Sequence, residues 1–182
     1  MRASLRLRLK WMVRFTVRNN RPEDFSTLWQ IDQGCFPPGI SYTQLELKSF
    51  IQRRGAFTLV AETSPGHEPP EGLSNSGQAM PRILGFLVAE SRRAAGHIIT
   101  IDVRSQARRR LVGSGLLEAA ESRMRSRDCE VSRLETAVDN VAALSFYKRH
   151  GYSVIKVVPR YYSNGLDALV LEKNLLSSAP LR

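Results

Sequence analysis

Leu134 to Tyr152 reads L-E-T-A-V-D-N-V-A-A-L-S-F-Y-K-R-H-G-Y, and the fold turns on how this stretch is read. Up to Asp139-Asn140, apolar and polar residues alternate, the period of a strand with one buried face. From Val141 the spacing becomes helical and ends at a Gly-aromatic stop. Upstream, Arg108 to Gly115 reads R-R-R-L-V-G-S-G, a basic turn running straight into another helical pattern. Phosphates need such a turn, because the free N–H groups at a helix start and the cations around them favour an anion.

Further out, Arg14 to Arg18 reads as a strand, and N-N-R-P-E-D opens a helix carrying Phe25, Leu28, Trp29 and Ile31. C-F-P-P-G-I-S-Y breaks it, and Ser41 is placed to cap a second helix reaching Phe50 or Ile51. Further strands are expected at Ala56 to Glu62, Ile83 to Glu90, His97 to Val103, Val131 to Val138, Tyr152 to Val158 and Leu166 to Glu172. Helices are expected over Gly113 to Arg127 and Val141 to His150. Local strand pairing followed by a strand–helix–strand unit predicts a mixed α/β sheet with parallel strands near its middle.

The 182 residues suit one domain, with 42% hydrophobic and 24% charged residues as in an ordinary globule. A net charge of +10 and a pI of about 10.3 point to an anionic partner: coenzyme phosphates, an acidic peptide or a nucleic-acid-rich surface. Cys35 and Cys129 have no metal-like or redox spacing, which fits reduced thiols and a cytoplasmic setting. No apolar run is long enough to span a membrane. Residues 1–12 are basic and lack both the apolar core and the cleavage site of a signal peptide, so they read as a disordered extension. The expected domain covers residues 13–175, with a Pro/Gly/Ser-rich loop at 63–81 and a tail at 176–182.

Together the basic turn and Leu134 to Tyr152 resemble the cofactor-binding half of the GNAT acetyltransferases. The resemblance is nearest to the branch that acetylates protein N-termini, typified by the bacterial ribosomal-protein alanine acetyltransferases. It implies the GNAT fold: a mixed, mostly antiparallel sheet whose central parallel pair splays around acetyl-CoA, flanked by helices. Acetyl-CoA is the implied co-substrate, and no metal is implied. The family pattern Arg/Gln-x-x-Gly-x-Gly/Ala fits in two registers. Arg110-x-x-Gly113-x-Gly115 satisfies it literally, whereas Arg108-x-x-Leu111-x-Gly113 keeps the flanking features but has Leu for the first Gly. The second is preferred, which gives Arg108, Arg109, Arg110, Leu111, Val112, Gly113 and Ser114 as the phosphate turn. A left-handed Leu111 would cost about 1–2 kcal/mol, and a right-handed one nearly nothing.

Acetyl transfer needs a neutral amine, a polarised thioester and a proton for the leaving thiolate. An α-amine titrates near about 8 and lysine near about 10.4, so lysine costs about 3 kcal/mol more to prepare at neutral pH. A single carboxylate therefore suffices for N-termini. By resemblance, Glu135 is the candidate base, its bland alternative being a solvent-facing strand carboxylate; His97 is the rival base. Tyr147 resembles the family's general acid, and Asn140 the residue that bonds the pantetheine arm, unless it simply caps a helix. Ile101, Asp102 and Val103 would line the thioester, with Asp102 either a polar contact or solvent-facing. Phe36, Tyr161 and Tyr162 resemble the walls of a peptide groove.

The resemblance thus implies transfer to a protein N-terminus, including a ribosomal one, by direct attack on the thioester. A small-amine acetyltransferase and a non-catalytic coenzyme-binding or ribosome-associated module are the alternatives. No membrane partner is expected, nucleic-acid proximity is compatible with the charge, and monomer and dimer both remain open.

Overall fold

Two apolar runs form the middle of the molecule. A-F-T-L-V-A-E-T becomes β2 (Ala56–Thr63) and I-L-G-F-L-V-A-E-S-R becomes β3 (Ile83–Arg92). Nearly all their residues are buried, as strands covered on both faces require. The computed structural model describes residues 14–64 and 82–176. Around the central pair lie β1 (Phe15–Asn19), β4 (Ala95–Val103), β5 (Val131–Ala137), β6 (Ser153–Val158) and β7 (Ala168–Asn174), in the order β1-β2-β3-β4-β5-β7-β6. Only β4 and β5 run parallel, and every other neighbouring pair is antiparallel. The architecture is the mixed α/β sheet expected, with its parallel pair near the middle.

Helices cover both faces. α1 (Phe25–Cys35) and α2 (Gln44–Gln52) bring Leu28, Ile31 and Leu47 onto Val60, Phe86 and Val88. On the other face α3 (Val112–Arg125) packs Leu116, Leu117, Ala120 and Met124 against Leu59, Leu84, Leu87, Ile98 and Leu134. α4 (Val141–Arg149) follows β5 and ends at Gly151, whose φ of 84 suits a residue without a Cβ.

The expected boundaries shift where local chemistry decides them. Thr43, not Ser41, caps α2: its hydroxyl accepts from the Glu46 N–H at 3.2 Å, and the Glu46 carboxylate accepts from the Thr43 N–H at 2.8 Å. Ser41 is instead drawn into the Pro37 turn, donating its N–H to the Pro37 carbonyl. Val138 lies beyond β5 and is 38% exposed rather than buried beside Leu134 and Thr136. Tyr152 precedes β6 and is buried, its hydroxyl donating to Ser132 Oγ at 2.8 Å. Residues 1–12, most of the 63–81 loop and most of the C-terminal tail lie outside the described residues, while Thr63 belongs to β2 and Ser64 and Leu176 are described.

Two features of β4 open the middle of the sheet. Its pairing with β5 stops at Ile98↔Leu134, beyond which each strand pairs only with its outer neighbour, so a gap opens between them. A bulge also interrupts β4, because Val88 faces Thr100 while Ala89 faces Ile98. The extra residue turns Ile99 towards the α1 side, and Ile101 and Val103 then pack with Ile98 on the α3 side.

Candidate functional site

The turn from β4 into α3 is built from residues with unusual backbones. Arg109 (φ 59) and Leu111 (φ 66) are left-handed, although neither is glycine, and Leu111 is the N-cap of α3. This is the costly branch of the Leu111 alternative. Alternating hands bring successive N–H groups into a concave nest, which favours an anion. Among the described residues, none of the N–H groups from Arg109 to Ser114 reaches an acceptor. Arg108 donates from Nε to the Val103 carbonyl at 3.0 Å, and Arg110 Nη1 is buried without a partner. Ser114 Oγ lies 3.0 Å from His150 Nε2, and Val112 and Gly113, where a Cβ would lie 3.5 Å from the Phe146 ring, are in the first turn of α3. Phosphate oxygens are what such a surface can hold.

On the α1 side of the gap, Leu134 is buried in the α3 cluster, so Glu135 points away from it. Its Oε2 lies 2.7 Å from His97 Nε2, and the two side chains are 22% and 36% exposed. The rival bases are therefore one hydrogen-bonded pair. Behind His97 is buried Glu90, its cross-strand partner, whose Oε1 is 4.0 Å from His97 Nδ1 and which Arg53 approaches at 3.6 Å. A carboxylate tied to an imidazole and open to solvent can accept a proton from an amine.

Tyr147 comes from α4, 5% exposed, with its ring edge-on to Phe146 and Tyr152. Burial first, then Asp102 and Tyr162, push its hydroxyl above the usual tyrosine range, so it holds its proton at neutral pH. Asn140 caps α4, accepting the Ala143 N–H at 3.1 Å, which leaves its amide nitrogen uncommitted among the described residues. The open edges of Ile101 and Val103 face the gap.

Asp102 does not face solvent. It is 1% exposed between Ile101 and Val103, and the Thr100 hydroxyl donates to its Oδ1 at 2.9 Å. Burial first, then the Asp32 charge, holds its carboxyl well above the ordinary carboxylate range.

The two expected groove walls meet. Phe36 is half-buried in the loop after α1, and Tyr161 and Tyr162, edge to face at 5.0 Å, sit in the loop after β6. Ser163 Oγ donates to the Gly39 carbonyl at 2.9 Å and straps the loops together. Burial, then Tyr161, Glu135 and Asp139, push Tyr162 up to about 12. Sequence reasoning missed three members. Tyr42 donates to the Ile99 carbonyl at 3.3 Å, while Asp32 accepts the Tyr42 N–H at 2.9 Å and so fixes the loop; Glu90 backs His97. The signal was available: Asp32 falls one turn after Leu28 on an apolar helix face, and Glu90 shares the parity of Phe86 and Val88.

A cavity of about 410 Å³ lined by Arg18, Arg21, Asp24, Arg82 and Arg104 lies at the β1 edge, apart from these residues. Its cations are largely engaged: Arg18 pairs with Asp24 and Glu62, Arg82 pairs with Glu62, and Arg104 donates to the Ile83 carbonyl. No group of three or more His, Cys, Asp or Glu able to hold a metal occurs among the described residues. No described helix is long and apolar enough to cross a membrane.

Comparison with known proteins adds a family. The model of the acetyltransferase (GNAT) family matches residues 25–152. An uncharacterized N-acetyltransferase of Methanocaldococcus jannaschii is 34% identical over 50% of this chain and 60% of its own length. An N-alpha-acetyltransferase of Sulfurisphaera tokodaii is 36% identical over 86% of this chain and 91% of its own. Among solved structures, the ribosomal-protein-S18-alanine N-acetyltransferase of Escherichia coli superposes with a TM-score of 0.72 at 17% identity, covering 93% of this chain and 99% of that one. The NatC complex bound to Gag peptide and CoA gives a TM-score of 0.68 at 24% identity, covering 88% and 98%.

Proposed function

The chain belongs to the GNAT family and is an acetyltransferase, and on that premise we propose that it transfers acetyl from acetyl-CoA to the α-amine of a protein N-terminus. The observation that carries this reading is the Glu135–His97 pair, 2.7 Å apart at the mouth of the β4–β5 gap and neighboured by Tyr161 and Tyr162. The turn from Arg108 to Ser114 would hold the coenzyme pyrophosphate on its free N–H groups, and Asn140 would steady the pantetheine arm through its uncommitted amide. The coenzyme supplies the acetyl thioester; the chain's residues orient it and move protons.

In this reading Ile101 and Val103 polarise the thioester carbonyl through the open backbone edge of β4. Glu135 takes the amine proton, with His97 holding its other oxygen in place. As the C–N bond forms and the C–S bond breaks, Tyr147 gives its hydroxyl proton to the departing sulfur. Phe36, Tyr161 and Tyr162 hold the first residues of the peptide beneath the Ser163–Gly39 strap. The likeness to an archaeal N-alpha-acetyltransferase supports the α-amine over small amines. The unpaired thiols of Cys35 and Cys129 fit a reducing, cytoplasmic compartment.

The test is mass-spectrometric acetyl transfer from acetyl-CoA to peptides beginning with Ala, Ser, Met or Thr, with internal lysines and small amines as rivals. Label on the α-amine alone is the expected result. Label on lysine or small amines would move the activity to another substrate class, and no label would remove catalysis from the reading.

A further inference from the structure

Lys156 is a cation that the acetyl-transfer reading leaves without a task. It lies exposed on β6, the strand at the edge of the sheet. A bulge decides which way it points. Val154 pairs with Leu171 on β7, and a regular strand would then set Lys156 opposite Leu169, on the α3 side where Leu169 and Leu171 pack. Instead Ile155 is an extra residue, and Lys156 faces Val170, which in turn pairs with Glu135. Directly paired residues share a face, so Glu135, Val170 and Lys156 form one row across β5, β7 and β6. Bulges re-aim single side chains next to active sites, and this one carries Lys156 from the α3 side to the face of the candidate base.

That face is open. Among the described residues, the layer under α1 and α2 is drawn from β2, β3 and β4, and no residue of β5, β6 or β7 joins it. The other charges of the three strands are matched. Arg133 donates to Glu172 at 2.6 Å in the adjacent row, and Lys173 turns to Glu121 on the α3 side. Lys156 pairs with no acid among the described residues. A peptide whose α-amine meets Glu135 is walled by α1 and α2 on the β4 side. The Ser163–Gly39 strap closes the end where β5 and β6 finish. Its open course is over Val170. Two strand spacings separate Glu135 from Lys156, about 10 Å, which an extended peptide covers in about three residues. Lys156 thus stands beside the third or fourth residue, whereas an acid nearer the amine would meet Glu135 and be repelled. We propose that Lys156 is a specificity-determining residue, selecting N-termini that carry Asp or Glu at the third or fourth position. The proposal rests on the α-amine reading and names a substrate class within it. The net charge of +10 favours the same acidic peptides.

The experiment measures acetyl transfer to three peptides of one sequence, with Glu, Ala or Lys at both the third and fourth positions. Wild type has a KM for the Glu peptide about two- to fivefold below that for Ala, and a KM for the Lys peptide above it, as an exposed ion pair gives. Lys156→Met levels the three, and Lys156→Glu reverses their order. Raising salt from about 0.05 M to about 0.5 M shrinks the wild-type preference. Arg92→Glu, an equal charge change in the turn between β3 and β4, keeps the wild-type order. Melting curves check that each variant folds. Equal KM values for the Glu and Lys peptides in wild type overturn the proposal. So does an unchanged order in Lys156→Glu, or an Arg92→Glu effect of the same size. A wild-type enzyme that labels the α-amine of all three peptides equally removes the selection and leaves the acetyl-transfer reading standing. One that labels no α-amine defeats that reading, and the role given to Lys156 with it.

Discussion

Replacing Leu111 by glycine tests the phosphate turn at its most strained residue. Leu111 sits at φ 66 and ψ 3 with 58% of its surface exposed, so the substitution forfeits little packing. A left-handed L-residue costs about 1–2 kcal/mol. Glycine returns about 0.5–1 kcal/mol of that through the greater freedom of the unfolded chain. The net gain is about 0.5–1 kcal/mol, or a rise of about 1–4 °C in Tm for a chain of this size. Leu111→Ala is the control: it removes the side chain and keeps the strain, so its Tm does not rise. Strain present in both free and bound protein leaves affinity unchanged. Any tightening for CoA in calorimetry therefore comes from clearing the side chain from the phosphate path, and both variants are expected to show it. A Tm for Leu111→Gly no higher than that of Leu111→Ala would refute the strain argument. Equal dissociation constants for all three proteins would refute the register that puts Leu111 against the pyrophosphate.

The same geometry sets four further outcomes. Glu135→Gln lowers kcat by about 10²–10⁴-fold, and its dissociation constant for acetyl-CoA in calorimetry stays at the wild-type value. Asp102→Asn raises Tm at pH 7. The folded protein keeps the Asp102 proton after the unfolded chain has released its own near about pH 3.9, so rising pH favours unfolding of wild type, and the variant's advantage shrinks as melting is repeated towards pH 4. Gly85→Ala destabilises by about 1–3 kcal/mol or more in urea unfolding, because a Cβ there runs into the Asp102 carbonyl oxygen of the neighbouring strand. Thr43→Ala removes the α2 cap and costs about 1 kcal/mol in the same assay.

Most strands and helices could be read from periodicity, because Leu116, Leu117, Ala120 and Met124 mark one face of α3 and Leu134 and Thr136 one face of β5. The ends were less legible. Whether Ser41 or Thr43 caps α2 depends on which hydroxyl is free of the Pro37 turn, and that is settled by the loop's own hydrogen bonds. Within the candidate site, Glu135, His97 and Tyr147 were visible as residue types at suggestive positions, but their relation was not. The Glu135–His97 contact joins residues 38 positions apart on different strands, and their spacing carries no register. Asp102 looked ambiguous because its burial depends on a bulge, and one inserted residue leaves no trace in composition.

That bulge has a wider consequence for how β4 tolerates change. Side chains on a strand alternate with period two, so the extra residue at Ile99 acts as a phase shift: upstream and downstream halves keep opposite parities relative to β3. Deleting one residue between Ile98 and Ile101 would cancel the shift and leave a regular strand whose two halves keep their present faces. Val103 would stay in the apolar layer under α3, and Asp102 on the opposite face. A single-codon deletion is therefore absorbed at the bulge, whereas one beyond it, at Asp102, would turn Val103 to the opposite face.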